Sequence, residues 1–224
     1  MTQFLKRLLP VFFLILAFFR PFAQSKLPFA DEIQSFKRED SIKFPESKAI
    51  LFVGSSSFRK WIDIQSYFPG YKIINRGFGG SSLPDLINYV DDIIFPYRPK
   101  QIVIYCGDND LAASDTVSAQ MVFSRFKELY MLIRARLPAT SIVFISIKPS
   151  PAREKLLPKI KTANSLIRKY LKRSRNTSYV NVYNKMVSQE GIPRKELFTE
   201  DDLHMNSKGY ALWQKILRPY LLKD

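Results

Sequence analysis

The 224-residue chain is poor in the residues that form disulfide frameworks and metal centres. It contains one cysteine, Cys106, and one histidine, His204. A single cysteine cannot form an internal disulfide, and these two side chains are too few for a zinc site of the usual cysteine and histidine composition. The chain also lacks internal repeats and low-complexity segments. We therefore expect an ordinary globular fold with no metal site.

The composition indicates a sizeable core and a strongly basic surface. Hydrophobic residues make up 46% of the chain, and its formal net charge is +15. Such a charge attracts anionic surfaces or polymers. The basic residues are, however, spread over several segments, and no nucleic-acid-binding motif accompanies them. We therefore do not expect nucleic acid as a partner.

The first two dozen residues have the pattern of a secretory signal peptide. Lys6 and Arg7 precede the apolar run LLPVFFLILAFF, and a small residue, Ala23, follows. This run is shorter than the roughly 20 residues that span a bilayer. We predict a signal peptide at residues 1–23 and a single domain at 24–224 that is exported to the periplasm or secreted, without a stable membrane span. The alternative is an uncleaved anchor.

Five short segments rich in β-branched and aromatic residues predict strands. They are residues 49–54, 72–77, 101–107, 141–147 and 179–184. Three of them are nearly continuous apolar runs, which is typical of strands buried on both faces. The polar segment 25–48 is expected to pack against the edge of the sheet.

Helical patterns separate these strands. Apolar residues recur every three or four positions in 115–137, in 155–173 and after Asn206, which is a suitable helix cap. Ser82 and Asp85 resemble a capping box that opens another helix. Strands that alternate with helices predict an α/β fold with a parallel sheet.

Glycine and small polar residues follow the first three predicted strands. The sequences are GSSS, GFGGSS and GDND. Binding sites of open α/β sheets lie beyond the carboxyl ends of the strands. These loops should therefore converge at one edge of the sheet.

The loops and the single histidine contain the groups needed for acyl transfer. His204 could activate a serine, and Asp201, three residues earlier, could hold the other ring nitrogen. The glycines of GFGG and the amide of Asn109 could stabilise an oxyanion. Taken one by one, each feature also has a structural reading: a surface histidine, a flexible turn or a capping loop.

Together, these motifs resemble the SGNH (GDSL-type) hydrolase superfamily, in particular its exported bacterial lipase and acylhydrolase members. The resemblance runs from about residue 45 to the C-terminus and is carried by FVGSSS, NRGFGGSS, YCGDNDLA and DDLHMNSKGY. It implies a flavodoxin-like, three-layer α/β/α sandwich with a five-stranded parallel sheet. It also implies esterase or acylhydrolase activity without a cofactor.

The resemblance assigns a role to individual residues. In the family the nucleophile stands two residues after a glycine, so Gly54 points to Ser56, although Ser55 replaces the usual aspartate. His204 would be the base and Asp201 its carboxylate. The oxyanion donors would be Ser56, Gly80 and Asn109, with Gly79 as the alternative glycine.

Substrate preference is predicted less directly. Arg153, which follows the fourth strand, either binds substrate or is an ordinary surface arginine. We expect a short-chain, acetyl-type ester of a small molecule or glycan as substrate. The alternatives are an O-acyltransferase with the same triad, a lipase or lysophospholipase, and a non-catalytic binding module. The sequence does not determine the oligomeric state.

Overall fold

The computed structural model describes residues 27–223 of the chain. The predicted signal peptide, residues 1–23, lies outside this range. Among the described residues, none of the helices combines the length and the apolar character that crossing a membrane requires.

Five strands alternate with helices along the chain. The strands are β1 (Ile50–Gly54), β2 (Ile73–Gly77), β3 (Gln101–Tyr105), β4 (Ser141–Ile145) and β5 (Thr177–Val180). The helices are α1 (Ala30–Ile42), α2 (Ser56–Arg59), α3 (Ile64–Tyr67), α4 (Leu83–Asn88), α5 (Val90–Ile93), α6 (Asp108–Ala112), α7 (Ala119–Arg136), α8 (Leu157–Leu171) and α9 (Ser207–Leu217). The predicted caps Ser82 and Asn206 precede α4 and α9.

The strands form one sheet in the order β2-β1-β3-β4-β5, and every neighbouring pair is parallel. This confirms the predicted five-stranded parallel sheet. Because β2 and β3 lie on opposite sides of β1, right-handed crossovers must use opposite faces of the sheet. Accordingly, α2 and α3 pack on one face with α9, while α4, α5, α7 and α8 pack on the other.

The two faces of the sheet bury separate apolar cores. In β1, Leu51 and Val53 face the core beneath α7 and α8, and Ile50 and Phe52 face the core beneath α9. All four are fully buried. Burial on both faces explains why this strand reads as an uninterrupted apolar run.

The last strand begins and ends earlier than predicted. The sequence indicated residues 179–184, whereas β5 spans Thr177–Val180. The Ser146 hydroxyl accepts hydrogen bonds from the N–H groups of Val182 and Tyr183, at 3.0 and 3.1 Å. These bonds replace strand pairing, so the chain leaves the sheet after Val180.

The polar segment before the first strand forms a helix beside the edge strand β2. Asp40 of α1 accepts hydrogen bonds from Arg76 of β2 and from the hydroxyl of Tyr97, the latter at 2.5 Å. Ile33 of the same helix is buried in the core beneath α7. The packing against the sheet edge was expected from the sequence, but the helix was not.

Candidate active site

The candidate site lies where the strand order reverses. The crossovers that leave β1 and β3 go to opposite faces of the sheet, which opens a crevice at the carboxyl ends of these neighbouring strands. Ser56 begins α2 directly after β1, and Asn109 lies in the first turn of α6 after β3. The loop after β2 brings Gly79 and Gly80 to the same edge.

The glycine before the serines permits a close approach of two strands. Gly54 has φ of +148°, and a Cβ there would lie 1.9 Å from the carbonyl oxygen of Tyr105. The next residue, Ser55, donates its N–H to that same carbonyl at 3.1 Å. The position therefore requires glycine, and the sharp exit from β1 places Ser56 at the start of α2.

Ser56, His204 and Asp201 form a continuous chain of hydrogen bonds. The Oγ atom of Ser56 lies 3.1 Å from Nε2 of His204, although the two residues are 148 positions apart. The Nδ1 atom of His204 lies 2.5 Å from Oδ2 of Asp201. The geometry matches a nucleophile, a base and a carboxylate that orients the base.

The second carboxylate oxygen of Asp201 organises the turn that carries the histidine. It accepts hydrogen bonds from the N–H groups of Leu203 and His204, at 3.0 and 2.8 Å, and from the Thr199 hydroxyl at 2.8 Å. Desolvation opposes ionisation of this carboxyl, but the hydrogen bonds from the His204 ring and from these N–H groups outweigh it. They hold the pKa of Asp201 well below its usual range.

The neighbouring serines are placed differently from Ser56. Ser55 and Ser57 are both buried, whereas Ser56 is partly exposed at the crevice. The carbonyl of Ser57 accepts a hydrogen bond from the Tyr210 hydroxyl of α9 at 3.0 Å. Of these three consecutive serines, Ser56 alone reaches the histidine in the described structure.

In the glycine loop after β2, the N–H of Gly79 is hydrogen-bonded and the N–H of Gly80 is available. The N–H of Gly79 donates to Oε2 of Glu32 at 3.1 Å. No acceptor within residues 27–223 takes the N–H of Gly80 or of Ser56. A methyl group added to Gly80 would lie 3.7 Å from Nδ2 of Asn109, so these two residues border the same space.

The loop after β3 is held by ionic contacts beneath the crevice. Asp110 accepts the N–H of Leu83 at 2.9 Å and a hydrogen bond from Arg125 at 2.8 Å. Asp108 lies 3.5 Å from the buried ammonium of Lys148. Burial opposes ionisation of Asp108, but the positive charges of the Lys148 ammonium and the Arg153 guanidinium lower its pKa. These aspartates connect the loops that surround Asn109.

Arg153 reaches the crevice, where its guanidinium contacts protein groups. Its Nη2 donates to Oδ1 of Asn109 at 2.8 Å, and its Nη1 donates to the carbonyl of Asp108. The sequence left open whether this arginine binds substrate or lies free on the surface. The contacts show that it lies against the loop after β3.

Sequence reasoning missed three residues that shape the site. Glu32 engages the Gly79 N–H from 47 positions away, and the Ser81 carbonyl accepts a hydrogen bond from Nδ2 of Asn109 at 3.1 Å. Thr199 holds the carboxylate of Asp201. The first two contacts join distant segments and have no local signal, whereas a hydroxyl two residues before the aspartate could have been recognised.

The chain belongs to the GDSL-like lipase/acylhydrolase family, whose family model matches residues 53–212. This range includes the serine, glycine, asparagine and histidine motifs described above. The chain is therefore a hydrolase of the GDSL-like lipase/acylhydrolase type. No curated protein matches the chain significantly.

Solved structures share the fold at low sequence identity. A GDSL-like lipase from Bacteroides thetaiotaomicron is 21% identical with a TM-score of 0.73, and the match covers 84% of this chain and 96% of that chain. An acetylxylan esterase from Geobacillus stearothermophilus is 12% identical with a TM-score of 0.62, and the match covers 78% of this chain and 94% of that chain. These similarities establish the three-layer α/β/α arrangement of this chain.

Proposed function

We propose that this chain is a serine esterase that removes short acyl groups, with acetyl as the best candidate, from carbohydrate. The observation that carries the proposal is the hydrogen-bonded chain of Ser56, His204 and Asp201. It lies at the carboxyl edge of the sheet, beside the N–H donors of Gly80 and Asn109. Family membership supports the reaction class.

The catalytic cycle follows from the atoms that face one another. Nε2 of His204 takes the proton of Ser56 as Oγ attacks the ester carbonyl, and Asp201 stabilises the resulting imidazolium. His204 then gives this proton to the leaving alcohol, which departs and leaves an acyl-serine. Water, activated by the same imidazole, attacks the acyl group and restores the free serine.

The oxyanion of each tetrahedral intermediate requires preorganised donors. We assign this role to the N–H groups of Ser56 and Gly80 and to the Nδ2 amide of Asn109. Because Glu32 already accepts the N–H of Gly79, Gly80 is the better candidate of the two glycines. Removing one such donor commonly costs about a hundredfold to a thousandfold in turnover.

The short connections at the site favour a short acyl group. The chain passes from β1 to α2 through Ser55 alone and from β3 to α6 through Cys106 and Gly107. Neither connection contains an apolar insertion that could form a lid or a deep acyl channel. A long acyl chain would therefore gain little of the ~0.8 kcal/mol available for each buried methylene.

Two considerations support a carbohydrate ester. The loops around Ser56 consist mainly of glycine, serine, aspartate and asparagine, which suit a hydrated, polar leaving group. In addition, one structural neighbour is an acetylxylan esterase, which shows that this fold accommodates acetylated polysaccharide chemistry in that protein.

The nucleophile is tested by labelling with a fluorophosphonate, followed by peptide mapping. We expect a single modified serine, Ser56, in the wild-type chain and no labelling of Ser56→Ala. Modification of Ser55 or Ser57 instead would show that the assignment is off by one residue.

The substrate is tested with p-nitrophenyl esters from acetate to palmitate and with acetylated xylo-oligosaccharides. We expect kcat/KM to be highest for acetate and acetate to be released from the oligosaccharide. A maximum at eight carbons or longer would support a lipase instead. Transfer of acetyl to an added sugar, rather than to water, would identify an acyltransferase.

A further inference from the structure

We infer that Arg153 is a positioning residue that fixes the side-chain amide of Asn109 with its N–H₂ group toward the oxyanion. The inference rests on the proposed function, because it needs Asn109 to act as an oxyanion donor. It differs from both readings that the sequence left open for this arginine, a substrate-binding residue and an ordinary surface arginine.

An asparagine amide has two ends of similar shape and opposite hydrogen-bonding character. If the amide rotated by half a turn, Oδ1 would face the negatively charged intermediate and repel it. A guanidinium has only donors, so the atom of Asn109 that lies 2.8 Å from Nη2 of Arg153 must be the carbonyl oxygen. The arginine therefore selects one of the two amide orientations.

The opposite end of the amide completes this selection. Nδ2 of Asn109 donates one hydrogen to the carbonyl of Ser81 at 3.1 Å. An N–H₂ group has two hydrogens, so the second stays available in the crevice, on the side that Gly80 borders. Arg153 and Ser81 together leave Asn109 with one free N–H donor, while its Oδ1 is held by the guanidinium.

The arginine is itself held in place by both sides of the site. Its Nη1 donates to the carbonyl of Asp108, the residue before Asn109. Its neighbour Ala152 donates its N–H to the carbonyl of Asp202, in the turn that carries Asp201, at 3.0 Å. The segment that contains Arg153 thus joins the loop that carries Asn109 to the turn that carries Asp201 and His204.

The charge of Arg153 also strengthens the donor. A cation at the carbonyl end of an amide polarises it, which makes the N–H at the other end a better hydrogen-bond donor. The effect is largest when the oxyanion forms, because the partner is then negatively charged. The expected consequence is a loss of turnover, rather than of substrate affinity, when the guanidinium is removed.

The test is a double-mutant cycle on ester hydrolysis with Arg153→Ala, Asn109→Ala and the variant that carries both changes. We expect Asn109→Ala to lower kcat by about a hundredfold and Arg153→Ala by about ten- to fiftyfold, each with little change in KM. Because Arg153 acts through Asn109, adding Arg153→Ala to Asn109→Ala should lower kcat by less than about threefold.

Two further variants control for folding and for charge. Arg153→Lys keeps one cationic donor and should recover part of the lost turnover. Arg173→Ala removes an exposed arginine from the turn after α8 and should keep wild-type kinetics. Circular dichroism and thermal melting of every variant identify any that fails to fold.

The possible outcomes separate this inference from the proposed function. A wild-type chain that neither labels at Ser56 nor hydrolyses esters would overturn the proposed function, and the role of Arg153 with it. If the wild type is active and Arg153→Ala changes KM but not kcat, Arg153 is a substrate-binding residue. If the double variant loses kcat by the product of the two single losses, Arg153 does not act through Asn109.

Discussion

Glu32 of the first helix accepts a hydrogen bond from the N–H of Gly79, 47 residues further along the chain, at 3.1 Å. The same carboxylate oxygen lies 2.7 Å from Nε of Arg59, at the end of the helix that begins with Ser56. One side chain from the amino-terminal helix thus connects the glycine loop to the helix of the proposed nucleophile.

We predict that Glu32→Ala lowers kcat by about tenfold, because the glycine loop loses an anchor next to Gly80. Glu32→Gln should lose less, since its amide oxygen can still accept the Gly79 N–H. The measurement is steady-state hydrolysis of p-nitrophenyl acetate. Glu46→Ala, which removes an exposed carboxylate paired with Lys72, is a matched control that should leave kcat unchanged.

Replacement of Ser56 by alanine should remove at least about three orders of magnitude of ester hydrolysis, because only binding and oxyanion stabilisation remain. Ser55→Ala and Ser57→Ala should retain substantial activity, since neither hydroxyl is hydrogen-bonded to His204. The comparison requires kcat/KM for all three variants. An active Ser56→Ala beside an inactive neighbour would assign the nucleophile to that neighbour.

The acidic limb of the pH profile of kcat/KM should show a single ionisation. Because the pKa of Asp201 lies well below its usual range, this carboxylate stays ionised throughout an assay between mildly acidic and neutral pH. Protonation of Asp201 should therefore add no step to the pH profile in this range, and log kcat/KM should rise with pH with a slope of about one. A slope of two would show that a second group must also deprotonate.

Asp201→Asn should lower kcat by about a hundredfold to ten-thousandfold, because an amide no longer stabilises the imidazolium or fixes its tautomer. His204→Ala should lose still more activity. Full activity in His204→Ala would contradict the proposed triad directly, since the sequence contains no second histidine.

The same carboxylate should contribute to acid stability. Its pKa in the folded chain lies below the value of about 3.9 expected when unfolded, so ionised Asp201 favours the folded state above that pH. The contribution is lost as the pH falls toward the folded pKa. Thermal melts from pH 7 to pH 2 should show a smaller decrease for Asp201→Asn than for the wild type.

Lys148→Met should destabilise the fold by about 3–5 kcal/mol, because it leaves Asp108 buried without its nearest cation. The side chains are 1% and 6% exposed, so water cannot replace the missing partner. Urea denaturation should show a lower midpoint at an unchanged slope. Adding Asp108→Asn should restore more than half of the loss; no recovery would show that the lysine stabilises the fold by packing alone.

The sequence by itself determined the elements whose signals are local. The apolar runs of β1, β3 and β4 identify strands buried on both faces, and the glycine that ends β1 marks a sharp exit from the sheet. The spacing of Asp201 and His204 is also a local signal, because both lie in one turn whose backbone N–H groups bind the carboxylate. The resemblance to a family then selected Ser56 from three adjacent serines.

The tertiary structure decided what depends on distant segments. The end of β5 is set by hydrogen bonds from Val182 and Tyr183 to Ser146, which outweigh the β-propensity of that stretch. The N–H of Gly79 is taken by Glu32, and Oδ1 of Asn109 accepts a hydrogen bond from Arg153. A hydrogen bond between residues tens of positions apart leaves no periodicity in the sequence, so only the folded chain shows which donors are taken and which remain free.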